Sequence, residues 1–368
     1  MDEAGGARKV LILSAAMGGG HLQISRELAR RLEARGHTAT VVDMLDLMPP
    51  PAGRFLHWVY PWLVGSAPRL YQRVYDAFFV ADQRAGERAG IPVRLSVRGL
   101  RRLVADFDPD VAVSTYPLSA LALGYLRQRG DLRCPSVTVV TTFSLNNLWI
   151  HPANDLEVCI SDQAAADATA RTGRAALVSG PVIRPEFLDP PMPRAEARAR
   201  LGLSGDGRVA VLTTGSVGLA GDVKDAAAAL ARHPGWTPVV LCGRSDDLRR
   251  RLAAIPGVRT LEWVDDMPAV LAAADVLVDN AGGMSSKEAL GFGLPVVTFR
   301  PLTGHGRDDA EAMARLGVTD LVTEESELLR AVDALVGDPA HREGRIKRGQ
   351  ALFVQDLAEI VEQVAGRP

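Results

Sequence analysis

Short apolar runs rich in Val, Leu and Ile return along the whole chain, at Val10–Leu13, Val111–Ser114, Val137–Thr141, Val209–Thr213, Val239–Leu241, Val276–Asp279 and Val296–Phe299. Such unalternated runs fit strands covered on both faces, because a half-exposed strand would place a polar residue at every second position. Between them lie stretches with helical spacing of apolar residues, such as Leu22–Ala34 and Val223–Ala231. Strand and helix in alternation predict an α/β fold built on a doubly wound parallel sheet. The chain has 368 residues. At roughly 100 to 200 residues per domain, that length suggests two such sheets.

A break is expected from Gly180-Pro181 through Pro193, where five prolines fall within thirteen residues before a new strand-helix series opens near Val209. The expected division is a first domain over residues 1–182, a second over 183–345 and a terminal helical segment over 346–368. In that last segment Leu352, Phe353, Leu357, Ile360 and Val361 fall on one side, so it is expected to pack back toward the first domain. Each half opens alike, with Val10–Leu13 running into Gly18-Gly19-Gly20 and Val209–Thr213 into Gly215-Ser216-Val217-Gly218. Ligands of open α/β sheets sit at the carboxyl ends of strands, so both loops are expected to face a shared cleft.

The charge balance, 42 basic against 44 acidic residues, gives no reason to expect a nucleic-acid partner. With 47% hydrophobic and 23% charged residues the chain is not of a disordered class. Cys134, Cys159 and Cys242 are far apart and form neither a CxxC pair nor a His/Cys cluster, so they are read as buried thiols and no metal site is expected. The first apolar run is far shorter than a signal segment, which points to a cytoplasmic protein. Residues 55–79 place Trp58, Tyr60, Trp62, Tyr71, Tyr75, Phe78 and Phe79 among Arg69 and Arg73. This aromatic-basic stretch fits helices packed on the first sheet, or a peripheral membrane or acceptor contact.

Three loops carry chemistry. The first, Ser14 to His21, has contiguous glycines between a strand and a helix, where backbone amides approach a ligand and a helix N-terminus favours negative charge. It lacks the GxGxxG spacing of nicotinamide binding, and His21 at its end is placed as a general base. The second, Thr213 to Gly218, offers amides and hydroxyls to a diphosphate. The third, Asp279 to Leu290, joins a strand end, a glycine turn and a helix with Glu288 near its start. The acidic pair Asp265-Asp266 precedes Met-Pro and reads as a helix cap.

These residues resemble a known group. The Gly-Gly-Gly-His loop, Val264 and Met267 in Glu262 to Met267, the stretch Asn280 to Leu290, and Gly293-Leu294-Pro295 followed by Pro301 and Arg307-Asp308-Asp309 are similar to GT-B glycosyltransferases. The resemblance runs from Val10 to about Leu335 and is strongest to the monogalactosyldiacylglycerol synthases, with the lipid-II-forming N-acetylglucosaminyltransferase further off. It implies two Rossmann-like domains facing a central cleft, the first binding the acceptor and the second a nucleotide-sugar donor. It also implies that His21 serves as catalytic base, with Gly19, Gly20, Thr142, Asn146 and Trp149 on the acceptor side. Gly215 and Ser216 would border the diphosphate, Val264 and Met267 the base, and Gly283, Met284 and Ser285 the phosphates. Glu288 would bind the ribose, and Asp308 and Asp309 the donor sugar. Two places depart from the family. An acidic pair stands where polar amides are usual, and Thr142 and Asn146 replace an Asp and a His of lipid galactosyltransferases.

The expected activity is therefore an inverting, metal-independent transfer of a sugar from a nucleotide diphosphate, in the first instance a UDP-sugar, to a hydroxyl of a lipid or natural product. That enzyme would need no cofactor beyond the nucleotide-sugar co-substrate. The alternatives are a nucleotide-sugar 2-epimerase of the same fold and a non-catalytic nucleotide-sugar-binding protein.

Overall fold

The computed structural model describes residues 6–16, 19–66, 70, 73, 90–189, 192–203, 207–213, 222–302 and 304–366. In it the apolar runs become strands of two parallel sheets, and the chain divides into two units, residues 1–182 with 353–368, and residues 183–352.

The first unit holds β1 (Lys9–Ser14), β2 (Thr38–Asp43), β3 (Val111–Ser114), β4 (Ser136–Val139), β5 (Leu156–Cys159) and β6 (Leu177–Val178), in the order β2-β1-β3-β4-β5-β6. Its helices begin with α1 (Gly19–Ala34), α2 (Pro50–Ser66), α3 (Ile91–Phe107), α4 (Pro117–Gln128) and α5 (Asp162–Thr172). The second unit holds α6 (Arg194–Arg200), β7 (Arg208–Thr213), α7 (Val223–Arg232), β8 (Trp236–Leu241), α8 (Asp246–Ala253) and β9 (Arg259–Leu261). It continues with α9 (Met267–Ala273), β10 (Val276–Asp279), α10 (Met284–Phe292), β11 (Val296–Phe299), α11 (His305–Arg315), β12 (Thr319–Val322), α12 (Glu325–Gly337) and α13 (Pro339–Gln350). Its strand order is β12-β11-β10-β7-β8-β9. The last helix, α14 (Leu357–Ala365), belongs to the first unit.

Each sheet has one place where the strand order reverses, between β1 and β3 in the first and between β7 and β10 in the second. The chain leaves neighbouring strands there in opposite directions across the sheet, which opens a crevice at their carboxyl ends. The central strands are apolar on both faces because helices cover both: Val10, Leu11, Ile12 and Leu13 of β1 are all fully buried. The three cysteines are buried and unpaired, as their spacing suggested. Burial pushes the Cys134 thiol up to about 11 and the Cys159 thiol up to about 12, which leaves both unreactive near neutral pH.

α14 packs on α1 through buried Leu357, Ile360, Val361 and Val364. Polar contacts frame that packing. Arg31 Nη1 lies 3.0 Å from Asp356, and Arg35 reaches both Glu359 and Glu362 at 3.1 Å. The amides of Val354 and Gln355 both donate to the carbonyl of Ser179 at 3.2 Å, tying the returning chain to the end of the first unit.

Candidate active site

Asp43, at the end of β2, accepts from the amides of Ala16 and Leu45 at 2.9 Å and so fixes the start of the first glycine loop. Gly19 and Gly20 form the opening of α1, and His21 follows in its first turn, at the strand-order reversal of the first sheet. His21 Nδ1 lies 2.9 Å from the carbonyl oxygen of Thr115, the residue that leaves β3, and 3.1 Å from the hydroxyl of Thr141, just past β4. A carbonyl oxygen only accepts, so in the neutral imidazole Nδ1 carries the proton and Nε2 holds the lone pair. The ring is held further by Tyr116, edge-on at a centroid distance of 5.1 Å. Below it, Ser25 Oγ donates to the His21 carbonyl at 2.9 Å and lies 2.7 Å from Thr115 Oγ1. A half-buried imidazole with a fixed tautomer has the form of a general base.

The acceptor-side expectations fare unevenly. Thr142 turns back on its own loop, its hydroxyl donating to the Ser144 carbonyl at 2.7 Å. Asn146 caps the turn Asn147–Trp149 by accepting from the Leu148 amide at 3.1 Å. Trp149 takes a place in the core. It is fully buried among Val140, Ile150, Cys159 and Ala164, with its ring 6.1 Å from that of His21 between centroids. The large indole is taken into the core because its neighbours are the apolar ends of β4 and β5.

His151 is likewise a core residue. Its Nδ1 accepts from the Ala153 amide at 3.1 Å, and its ring lies so close to α4 that a Cβ on Gly124 would stand 2.1 Å from its Cγ. Burial lowers its pKa to about 4, so it is neutral in the fold. Nearby, Asn154 Nδ2 donates to Thr138 Oγ1 and to the Ala120 carbonyl, both at 3.0 Å. Glu157, paired in register with Thr138, is fully buried with the Arg174 guanidinium 3.8 Å away. Burial pushes the Glu157 carboxyl up to about 7 against the pull of Arg174.

In the second unit Asp279 organises the corresponding reversal. Its Oδ2 accepts from the amides of Ala281 (3.1 Å) and Gly282 (2.7 Å) and from Ser286 Oγ (2.7 Å), and its Oδ1 accepts from Thr213 Oγ1 on β7 (2.9 Å). One buried carboxylate thereby joins β7, β10 and the start of α10. Gly283 is the cap residue of α10 and brings no capping side chain, while the Ser286 hydroxyl is bound to Asp279. The first amides of α10, at Met284 and Ser285, thus sit at the positive end of a helix dipole. Glu288 is nearly buried, at 4% exposure, and Asp309 more so, at 2%, whereas Asp308 is half-buried. Asp266 caps α9 by accepting from the Ala269 amide at 3.2 Å, as the sequence suggested, with Val264 and Met267 half-buried beside it. Gly215 and Ser216, and most of the aromatic residues over 55–79, lie outside the described residues. Among the described residues no group of three or more His, Cys, Asp or Glu is arranged to hold a metal ion, and no helix is long and apolar enough to cross a membrane.

Sequence reading alone missed Thr115, Thr141 and Lys287. Thr115 acts through its backbone carbonyl, which leaves no mark in a sequence. Lys287 carried a signal as the single cation of a helix in which the only other charge is the neighbouring Glu288.

Residues 21–177 match the family model described as monogalactosyldiacylglycerol (MGDG) synthase. A processive diacylglycerol beta-glucosyltransferase of Bacillus licheniformis is 23% identical over 96% of this chain and 93% of its own length. Among solved structures, MurG of Acinetobacter baumannii superposes with a TM-score of 0.61 at 14% identity, over 97% of this chain and 100% of that one. The glycosyltransferase SnogD of Streptomyces nogalater superposes with a TM-score of 0.64 at 18% identity, over 98% and 100%. The superpositions establish the fold as GT-B, and with the family match and the curated relatives they make this chain a glycosyltransferase of that fold. Within the class it resembles the monogalactosyldiacylglycerol synthases.

Proposed function

We propose that the enzyme transfers a sugar from a UDP-sugar to the free hydroxyl of a diacylglycerol-type lipid, with inversion at the anomeric carbon and no bound metal. The observation that carries the reading is the fixed tautomer of His21, whose Nδ1–H is spent on Thr115, which makes Nε2 the basic nitrogen of the ring. In the proposed step the acceptor O–H proton passes to Nε2 as the oxygen bonds to the anomeric carbon. The bond from that carbon to the diphosphate breaks, and the leaving group keeps the electron pair. Negative charge growing on the diphosphate is met by the first amides of α10, held in place by Asp279. Glu288 is assigned to the ribose and Val264 and Met267 to the base.

The lipid acceptor draws support from the diacylglycerol glucosyltransferases, which match nearly their whole length. It also draws support from an exposed apolar and basic face of the first unit. Phe55 and Trp58 of α2 are 58% and 68% exposed, and Ile91 of α3 is 74% exposed. Arg94, Arg98, Arg101 and Arg102 of α3 are exposed as well. Both helices rest on the turn Met44–Leu47, where a Cβ on Gly53 or Gly99 would collide with the carbonyls of Leu45 and Leu47. Apolar and cationic groups together suit the surface of an anionic bilayer, which would bring the enzyme to its acceptor as a peripheral protein.

The test is turnover of UDP-glucose and UDP-galactose with diacylglycerol in mixed vesicles, with and without EDTA, with the anomeric configuration of the product read by NMR. A β-glycolipid formed at equal rates in both conditions is the expected result. Hydrolysis or epimerisation of the donor with no glycolipid would overturn the reading.

A further inference from the structure

Lys287 lies in the first turn of α10 with 4% of its surface exposed, a depth at which lysines are rarely found. Burial lowers the pKa of its ammonium, while the carboxylates of Asp309, Asp279 and Glu288, in that order, act to raise it. Its Nζ donates to the carbonyl oxygen of Gly282 at 2.9 Å. Gly282 has φ +61, and a Cβ there would meet Asp309 Cβ and Met313 Sδ, both at 3.1 Å. Ammonium, left-handed glycine and the Asp309 side chain are therefore packed together directly behind Gly283, where α10 begins without a capping side chain.

Charge indicates what the ammonium is for. The turn read as a diphosphate cradle is backed by the three carboxylates that act on Lys287. With a neutral residue at this position they would all face an incoming polyanion, and in a partly dry site each such repulsion is far larger than in water. Bonding of Nζ to the Gly282 carbonyl also removes one freedom from a turn that only glycine can make.

We propose that Lys287 is a positioning residue of the donor site. It locks the Gly282-Gly283 turn through the Gly282 carbonyl and offsets the carboxylates around it, so that the first amides of α10 present a favourable field to a nucleotide diphosphate. Asp309 serves as its counter-ion, which leaves the half-buried Asp308 as the carboxylate nearer the donor sugar. The proposal rests on the donor role assigned to the second unit.

The test compares the wild-type protein with Lys287→Met and with Lys287→Met/Asp309→Asn by UDP titration, melting temperature and donor kinetics. Lys287→Met alone is expected to melt lower, because it leaves Asp309 buried without its cation, and Asp309→Asn is expected to restore the melting temperature. The double variant should bind UDP about 5-fold or more weakly, the equivalent of losing one charge-assisted contact, with donor KM raised in proportion and kcat within about 2-fold of wild type. Equal UDP affinity and donor KM in the double variant overturns the role of Lys287 alone, as does a loss confined to kcat. A wild-type protein that binds none of UDP, GDP or dTDP overturns both this role and the donor reading beneath it.

Discussion

His21 Nδ1 stands 2.9 Å from the carbonyl oxygen of Thr115, a residue 94 positions away in sequence. A carbonyl orients an imidazole as firmly as a carboxylate does, but it brings a dipole in place of a full charge. The proton taken up at Nε2 in the proposed step is then stabilised by the Thr115 dipole and the Thr141 hydroxyl, two neutral partners on one nitrogen.

Replacing the base tests this directly. His21→Ala should lower kcat by roughly 10²- to 10⁴-fold, the usual worth of a positioned general base. UDP binding should be preserved, since the second unit is untouched. A variant of wild-type turnover would remove His21 from the chemistry.

The hydroxyl of Thr141 has a smaller assigned share. Thr141→Val keeps the volume and deletes the contact, so kcat should fall roughly 2- to 10-fold, in line with about 0.5–1.5 kcal/mol for one hydrogen bond. The melting temperature should stay close to wild type and the pH profile of kcat should move. An unchanged profile would mean that the Thr141 hydroxyl takes no part in setting the basicity of the ring.

Glu157 predicts a pH dependence of stability. Its folded-state pKa of about 7 lies above the ordinary 4.5, so between those values the fold holds a proton that the unfolded chain has released. Stability therefore falls as pH rises through that window and stays lower above it. Glu157→Gln should remove the decline and stabilise the protein at pH 8 by up to about 3 kcal/mol. His151, neutral in the fold down to about 4, acts in the opposite sense below pH 6.5, and that acid-side loss should appear in both proteins. Urea midpoints at pH 5 and pH 8 measure both effects, and a variant with the wild-type difference between them would refute the assignment to Glu157.

The α1–α14 packing predicts a stability effect far from the chemistry. Ile360 is 1% exposed, and Ile360→Ala should cost about 2–5 kcal/mol, the range for emptying a well-packed core position. The comparison is urea denaturation of the two proteins. A loss below 1 kcal/mol, within the scatter of surface substitutions, would mean that α14 is not an integral part of the first unit.

What could be read from the sequence follows burial. β1, β3, β4, β7, β8, β10 and β11 were legible because both faces are covered and Val, Leu and Ile recur along them. β2, β9 and β12 were not, because they lie at sheet edges, where Thr38, Arg259 and Asp320 break the apolar run. β5 was hidden for another reason, since the buried Glu157 interrupts it. In the site, His21, Gly283 and Glu288 stood out as members of local motifs. The full burial of Trp149 left no mark in the sequence, because an aromatic looks the same there whether it faces solvent or core.

The first unit is assembled from the two ends of the chain, and the second from an unbroken stretch between them. During synthesis residues 183–352 leave the ribosome as a complete set, able to settle without waiting for anything downstream. The sheet made earliest has no such advantage: the apolar face of α1 and the guanidinium groups of Arg31 and Arg35 meet their partners only when Asp356 to Val364 arrive. The earlier-made sheet is thus sealed after the later one, and a chain stalled between Leu352 and Asp356 would hold every residue of the second unit while α1 still lacked its partner.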